Sequence, residues 1–163
     1  METQIINPEQ IKRKIEETIK NLVGFMDLEC NIEFREEGGD GKVLFASIYT
    51  PEDAKLLIGK NGQTLKALEH IIRLMLPVEC EPTSVLLDVN DYRKSRAAYL
   101  IDLAKQAVGR VRSTQKAEAL VPMTPYERRV VHMELAASPD ITTESIGEEP
   151  YRRVVIKPFS SSI

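Results

Sequence analysis

No stretch of this chain approaches the roughly 18 consecutive apolar residues that a membrane-spanning helix needs. The opening METQIINPEQ holds no basic segment followed by an apolar one, so nothing there reads as a signal peptide. Cysteine is scarce. Cys30 and Cys80 lie far apart with no C-x-x-C spacing, and they read as reduced, partly buried thiols of a cytosolic protein. Together with the two histidines they give no zinc spacing, so no metal is expected. There is no phosphate-binding P-loop and no paired-carboxylate motif, so no cofactor is expected. His132 can be drawn with Glu127 or Glu134 as a base with an orienting acid, but no nucleophile stands beside it. His70, next to Glu69 on a helix, reads as a surface or boundary residue, and Met123 and Met133 read as packing. These absences argue against an enzyme.

Positive charge is also in deficit, with a net charge of −3 that by itself speaks weakly against a nucleic-acid partner. The two halves differ, however. Up to Val89 there are 10 basic and 16 acidic residues, net −6; from Asn90 onward there are 12 basic and 9 acidic, net +3. That asymmetry points to a second, more basic module. A length of 163 residues with 42% hydrophobic and 29% charged residues suits one or two small domains with a core of their own.

Along the first half, Asn7-Pro8-Glu9-Gln10 reads as a helix start, with an Asn cap and Pro in the first turn. Ile11, Ile15, Ile19 and Leu22 recur at helical spacing, and Gly24 can end the helix. Leu28, Cys30, Ile32 and Phe34 alternate with polar residues as a half-buried strand. Gly38-Gly39-Asp40-Gly41 reads as a turn before a second strand, Lys42 to Tyr49. A short helix starts at Thr50-Pro51-Glu52-Asp53. Another carries Leu65, Leu68, Ile72 and Met75 on one stripe and stops at Pro77. Val85, Leu87 and Val89 form a last strand.

Between those two helices stands Gly59-Lys60-Asn61-Gly62, the most informative segment of the chain. Glycine lets the backbone take unusual dihedrals and approach a ligand closely. The helix that follows points its N-terminus, with unpaired N–H groups and a favourable dipole, at the same place. One lysine inside the turn completes a cradle for an anion. The competing structural reading is a plain helix–helix turn. With Ile58 before it and amphipathic helices on both sides, the segment resembles the G-x-x-G loop of the KH nucleic-acid-binding domain, which clamps about four backbone nucleotides. The element order over residues 5–90 resembles the bacterial type II KH arrangement, in which a three-stranded mixed sheet carries its helices on one face. The resemblance implies that Ile58 and Leu65 flank the loop along an apolar groove for bases, and that Lys60 meets the phosphate backbone.

The second half opens with a long helix from about Asp91 to Arg112, whose core stripe is Leu100, Leu103, Ala104, Ala107, Val108 and Val111. Arg93, Lys94 and Arg96 lie on its first turns, and Arg110, Arg112 and Lys116 cluster at its end; a solvated face explains such charges equally well. Thr124-Pro125-Tyr126-Glu127 is a capping box opening a second helix. On that helix Arg128 and His132 are four apart, about 6 Å at Cβ, where a guanidinium can fork a phosphate and an imidazole can donate to a second oxygen or stack under a base. A strand from Ile141 to Ser145, a turn at Gly147–Pro150 and a returning strand from Arg152 to Ile156 follow.

The segments PMTPYERRVVHMEL and ITTESIGEEPYRRVVIKP resemble the R-3-H domain, named for its Arg-x-x-x-His motif and associated with single-stranded nucleic acid. Asp91-Tyr92-Arg93 and Arg96 also resemble that module in bacterial proteins that carry it. KH followed by R-3-H resembles the Jag family, also called KhpB or SpoIIIJ-associated proteins, over nearly the whole chain. Many members begin with a further domain and linker, and the resemblance implies a shorter member or one lacking that domain.

The expectation is an α+β protein with a type II KH domain over 1–90 and a small R-3-H domain over 91–163, the latter with a three-stranded sheet and two helices. The resemblance implies a cytoplasmic, non-catalytic protein that binds single-stranded RNA, with single-stranded DNA as the other nucleic-acid candidate. It further implies a post-transcriptional regulator linked to cell elongation, division or sporulation, with a single-KH protein as partner. The expected RNA-binding residues are Ile58, Gly59, Lys60, Asn61, Gly62, Leu65, Arg93, Arg96, Arg128, His132 and Arg152. The alternative is a protein-interaction adaptor whose nucleic-acid surfaces have degenerated.

Overall fold

A computed structural model describes residues 8–37, 43–51, 54–76 and 84–159. The expected cap at Asn7, the turn at 38–41, the helix start at Glu52-Asp53, the stop at Pro77 and Cys80 lie outside the described residues. The chain divides into two compact units, Met1–Arg93 and Lys94–Ile163.

The first unit runs α1 (Pro8–Gly24), β1 (Asn31–Glu37), β2 (Val43–Tyr49), α2 (Ala54–Ile58), a single 3-10 turn (Lys60–Gly62), α3 (Gln63–Met75) and β3 (Ser84–Val89). The sheet order is β1-β2-β3, antiparallel between the first pair and parallel between the second. Register decides which side chains meet. Leu44 is paired with Val85, Ala46 with Leu87 and Ile48 with Val89. Because alternate residues share a face, all six fall on one side of the sheet, and all six are buried. Ile11, Ile15, Ile19 and Val23 of α1, Leu57 of α2, and Leu65 and Ile72 of α3 pack into the same core. The opposite face carries half-buried Phe45, with the Arg35 guanidinium 5.3 Å from its ring centre.

The periodic stripes were legible with small slips at helix ends. Val23 is buried in α1 while Leu22 is only half-buried. In α3 Met75 is exposed, and Leu76, one residue on, packs against the core instead. A 3.6-residue turn carries the apolar face from Leu65 through Ile72 to Leu76.

After β3 the backbone turns through two left-handed residues, Asn90 (φ 48°) and Asp91 (φ 55°). The Asn90 side chain donates to the Thr50 carbonyl (2.9 Å) and accepts from the Thr50 N–H (3.1 Å). Its own N–H donates to the Ile48 carbonyl, extending the β2–β3 ladder by one bond of 3.0 Å. Asp88 Oδ1 then accepts from the Arg93 N–H in the next helix (3.1 Å).

That helix, α4 (Tyr92–Thr114), is followed by β4 (Glu118–Pro122), α5 (Pro125–Leu135), β5 (Ile141–Ile146) and β6 (Arg153–Pro158). Arg93 falls within the first unit, where its guanidinium donates to the Leu87 carbonyl and to Glu69. The second sheet is antiparallel throughout, in the order β4-β6-β5. Leu100, Ala104, Ala107, Val108 and Val111 of α4 are buried as the stripe predicts, with Leu103 partly covered. Val131 and Leu135 of α5, and Val154 and Ile156 of β6, complete this core.

Replacing Asn90 with Ala removes both bonds to Thr50 and forces a β-carbon residue without a local partner into the left-handed region. The expected result in guanidinium denaturation is a loss of about 1–3 kcal/mol. An unchanged midpoint would show that this clamp does not hold the first unit.

Candidate nucleic-acid interface

The G-x-x-G segment is shaped by three positive φ angles: Gly59 (70°), Asn61 (54°) and Gly62 (77°). Gly59 combines φ 70° with ψ −178°, a conformation open essentially to glycine alone. A β-carbon there would also lie 2.1 Å from Thr64 Oγ1. One at Gly62 would lie 3.0 Å from the Tyr92 ring. Asn61 is an asparagine, one of the few side chains that accept a left-handed backbone.

This path decides which amides are used. Gly59 N–H donates to the Lys55 carbonyl (2.8 Å), closing α2, and Gly62 N–H donates to the Gly59 carbonyl (3.3 Å). Gln63 N–H donates to the Lys60 carbonyl. Lys60 and Asn61 hold the first two positions of the 3-10 turn, whose own bonds begin with the Gly62 and Gln63 N–H groups, so their amides take no part in the turn's internal ladder. Both side chains are exposed, and Lys60 has no ion-pair partner among the described residues. The turn therefore presents two amides and an ammonium at the head of the 13-residue α3, where the dipole favours an anion.

The flanking apolar pair divides. Ile58 is half-buried and stands at the loop edge, whereas Leu65 is 3% exposed and belongs to the core. Leu65 supports the loop from beneath. The groove-lining role expected for it does not fit that burial.

The arginines expected to meet RNA are mostly tied to acids of their own unit. Arg93 donates to Glu69 Oε2 (2.6 Å) and to the Leu87 carbonyl (2.8 Å), while the same carboxylate oxygen accepts from the Leu87 N–H. Arg96 donates to Glu127 Oε1 (3.1 Å), with both side chains 11% exposed. Glu127 also closes the expected capping box: its Oε2 accepts from the Thr124 N–H (2.7 Å), and its own N–H donates to Thr124 Oγ1. Arg128 is 9% exposed. One of its terminal nitrogens donates to the Met123 carbonyl (2.6 Å) and to Glu149 Oε1 (2.7 Å). A guanidinium so placed braces the fold, joining the start of α5 to the Gly147–Arg152 turn. Both of these bonds use the same terminal nitrogen.

His132 is half-buried, and its Nδ1 shares a hydrogen bond of 2.7 Å with Thr143 Oγ1 of β5. Burial, with the neighbouring Arg128 charge, pushes the imidazole below its ordinary range, so it is neutral at pH 7 and brings no positive charge. Arg152 is exposed and donates to Ser145 Oγ (3.1 Å). Of the arginines and lysine expected to bind RNA, Lys60 and Arg152 are the two with no carboxylate partner among the described residues.

Sequence reasoning passed over three exposed residues of the second unit. Arg129 lies beside the motif arginine with no ion pair among the described residues. Tyr126 and Tyr151 are 63% and 69% exposed. The available signal was the doublet Arg128-Arg129: on a helix with one buried face, adjacent residues diverge by about 100°, so only one of them can face water.

Comparison with known proteins bears on both units. The R-3-H domain family model matches residues 98–158. The chain is 35% identical over 132 residues to RNA-binding protein KhpB of Clostridium symbiosum, covering 80% of this chain and 58% of that protein. It is 41% identical over 102 residues to RNA-binding protein KhpB of Lactiplantibacillus plantarum (62% and 32%) and 40% identical over 110 residues to that of Bacillus subtilis (66% and 53%). The chain thus spans between about a third and three-fifths of these relatives' length.

The His132 environment makes a pH prediction. Its folded-state value lies below the unfolded one, so the unfolded chain binds more protons in that window. The contribution is fully present above about pH 6.5 and is lost as pH falls through the folded value. Lowering pH from roughly 7.5 to 5 is expected to reduce the melting temperature more for the natural chain than for His132→Gln. Equal losses would show that this imidazole is not held neutral.

Proposed function

The chain belongs to the Jag/KhpB family, and from that premise we propose that it binds single-stranded RNA, with the G-x-x-G turn gripping the sugar–phosphate backbone. The observation that carries this reading is the glycine-dependent turn itself, which sets the leading amides of Lys60 and Asn61 at the head of α3 beside an exposed Lys60 ammonium with no ion-pair partner among the described residues. Such a turn meets phosphates without selecting bases. A double helix hides its base faces, whereas a single strand can lay them beside the loop at half-buried Ile58. The basic second half supplies further attraction along the strand.

We further propose a binder and not an enzyme, acting in the cytoplasm as a post-transcriptional regulator alongside a single-KH protein, in cell elongation, division or sporulation. The support is the family, whose matched members are named RNA-binding proteins. The second reading, a protein-interaction adaptor, is favoured by the internal pairing of Arg93, Arg96 and Arg128 and by the net −6 of the first half.

The double change Lys60→Asp, Asn61→Asp separates the two. Aspartate tolerates the left-handed backbone and both positions are exposed, so the melting temperature is expected to hold. Affinity for a single-stranded RNA is expected to fall more than tenfold, about 1.4 kcal/mol or more. An unchanged gel-shift titration contradicts RNA binding by this loop and favours the adaptor.

A further inference from the structure

We propose that Tyr126 and Tyr151, carried on the two segments that buried Arg128 ties to each other and flanked in sequence by Arg129 and Arg152, form a base-stacking platform for a single RNA strand in the second unit. The inference rests on the RNA-binding reading above and assigns the strand's contacts within this unit. Tyr126 is at the second position of α5, and Tyr151 lies in the turn before β6. Two links hold that turn against the start of α5. Met123 N–H donates to the Arg152 carbonyl (2.9 Å), and Arg128 bridges the Met123 carbonyl and the Glu149 carboxylate. Tyr151 N–H donates to the Glu148 carbonyl (2.8 Å), so the residue is fixed within the turn while its ring stays in water.

Both rings stand largely in water on segments whose backbone is fixed by these bonds, so each offers a flat apolar face with its hydroxyl at the edge. Every base has a π-face, and stacking on tyrosine is the ordinary means by which proteins hold single strands. Charge complements the rings. Arg129 is one helical turn after Tyr126 on the same face of α5, and Arg152 is next to Tyr151. Neither has a carboxylate partner among the described residues. Glu149 is neutralised by Arg128, which leaves Glu148 as the opposing charge of this turn. Arg128 is on this account a positioning residue: it acts on RNA through the two tyrosines.

The chain contains no tryptophan and 5 tyrosines, so the part of the RNA-induced quenching that is lost in Tyr126→Ala and Tyr151→Ala reports on stacking at those two rings. The 163-residue chain is titrated with a mixed-sequence single strand of roughly 12 nucleotides, following anisotropy and tyrosine quenching. Tyr126→Ala and Tyr151→Ala are each expected to lower affinity roughly five- to hundredfold, with the salt dependence unchanged. The Phe variants are expected to bind within about twofold of the natural chain, because the ring is kept. Arg129→Gln is expected to reduce the slope of log K against log salt by about 0.7. Arg128→Ala is expected to weaken binding in the natural background but to add little once both tyrosines are alanine, as coupled residues do. Full affinity in both tyrosine-to-alanine variants, alongside loss in the Lys60→Asp, Asn61→Asp chain, overturns the platform and leaves the loop reading intact. No RNA binding by the natural chain overturns both.

Discussion

A short turn that cannot be built from ordinary residues governs the first unit. Gly59 takes a conformation closed to side chains, Asn61 and Gly62 follow in the left-handed region, and Thr64 and Tyr92 fill the space a β-carbon would need. The dihedrals do two things at once. They end α2 and start α3 within four residues, and they put the Lys60 and Asn61 amides at the open leading end of the 3-10 turn. Elsewhere the core is assembled to hold this turn in place: Leu57 and Leu65, on either side of it, are buried against the sheet.

The second constraint concerns charge. An arginine count suggests a basic protein surface in the second half, but the geometry shows how little of that charge is open. Arg96, Arg110, Arg112 and Arg128 are each paired with a carboxylate, and Lys157 with Glu144. The Arg110 and Arg112 pairs are exposed and contribute little, whereas Arg96 and Arg128 are buried, so removing the carboxylate partner of either leaves a costly unpaired charge. The Arg-x-x-x-His motif is therefore structural in its first member. His132, neutral and bonded to Thr143, ties α5 to β5 and adds no field.

Much of this was legible in the sequence because it depends on local pattern. The period-two strands, the Leu100–Val111 stripe and the Thr124–Glu127 capping box are written in neighbouring residues, and the structure has them, except that β1 begins at Asn31 and leaves Leu28 and Cys30 ahead of it, packed on the core. What escaped depends on distant partners. The strand Glu118–Pro122 has no alternation to mark it and exists because β6 offers it a ladder across an irregular register. The pairing of Arg93 with Glu69 and of Arg128 with Glu149 joins residues with no sequence relation. Spacing placed Arg128 and His132 on one face of a helix. It could not say that the face was turned inward, nor that Arg129 was the arginine left in water.

The central claim is that the backbone of the G-x-x-G turn itself holds the RNA strand, and amide NMR reads that backbone directly. A short single-stranded RNA of about four nucleotides is titrated into the isotope-labelled chain. The account predicts that the Lys60, Asn61 and Gly62 N–H resonances shift most and in a saturable manner, and that double-stranded RNA of the same sequence leaves them in place. Shifts confined to other regions, with these three amides unmoved at saturation, would contradict it.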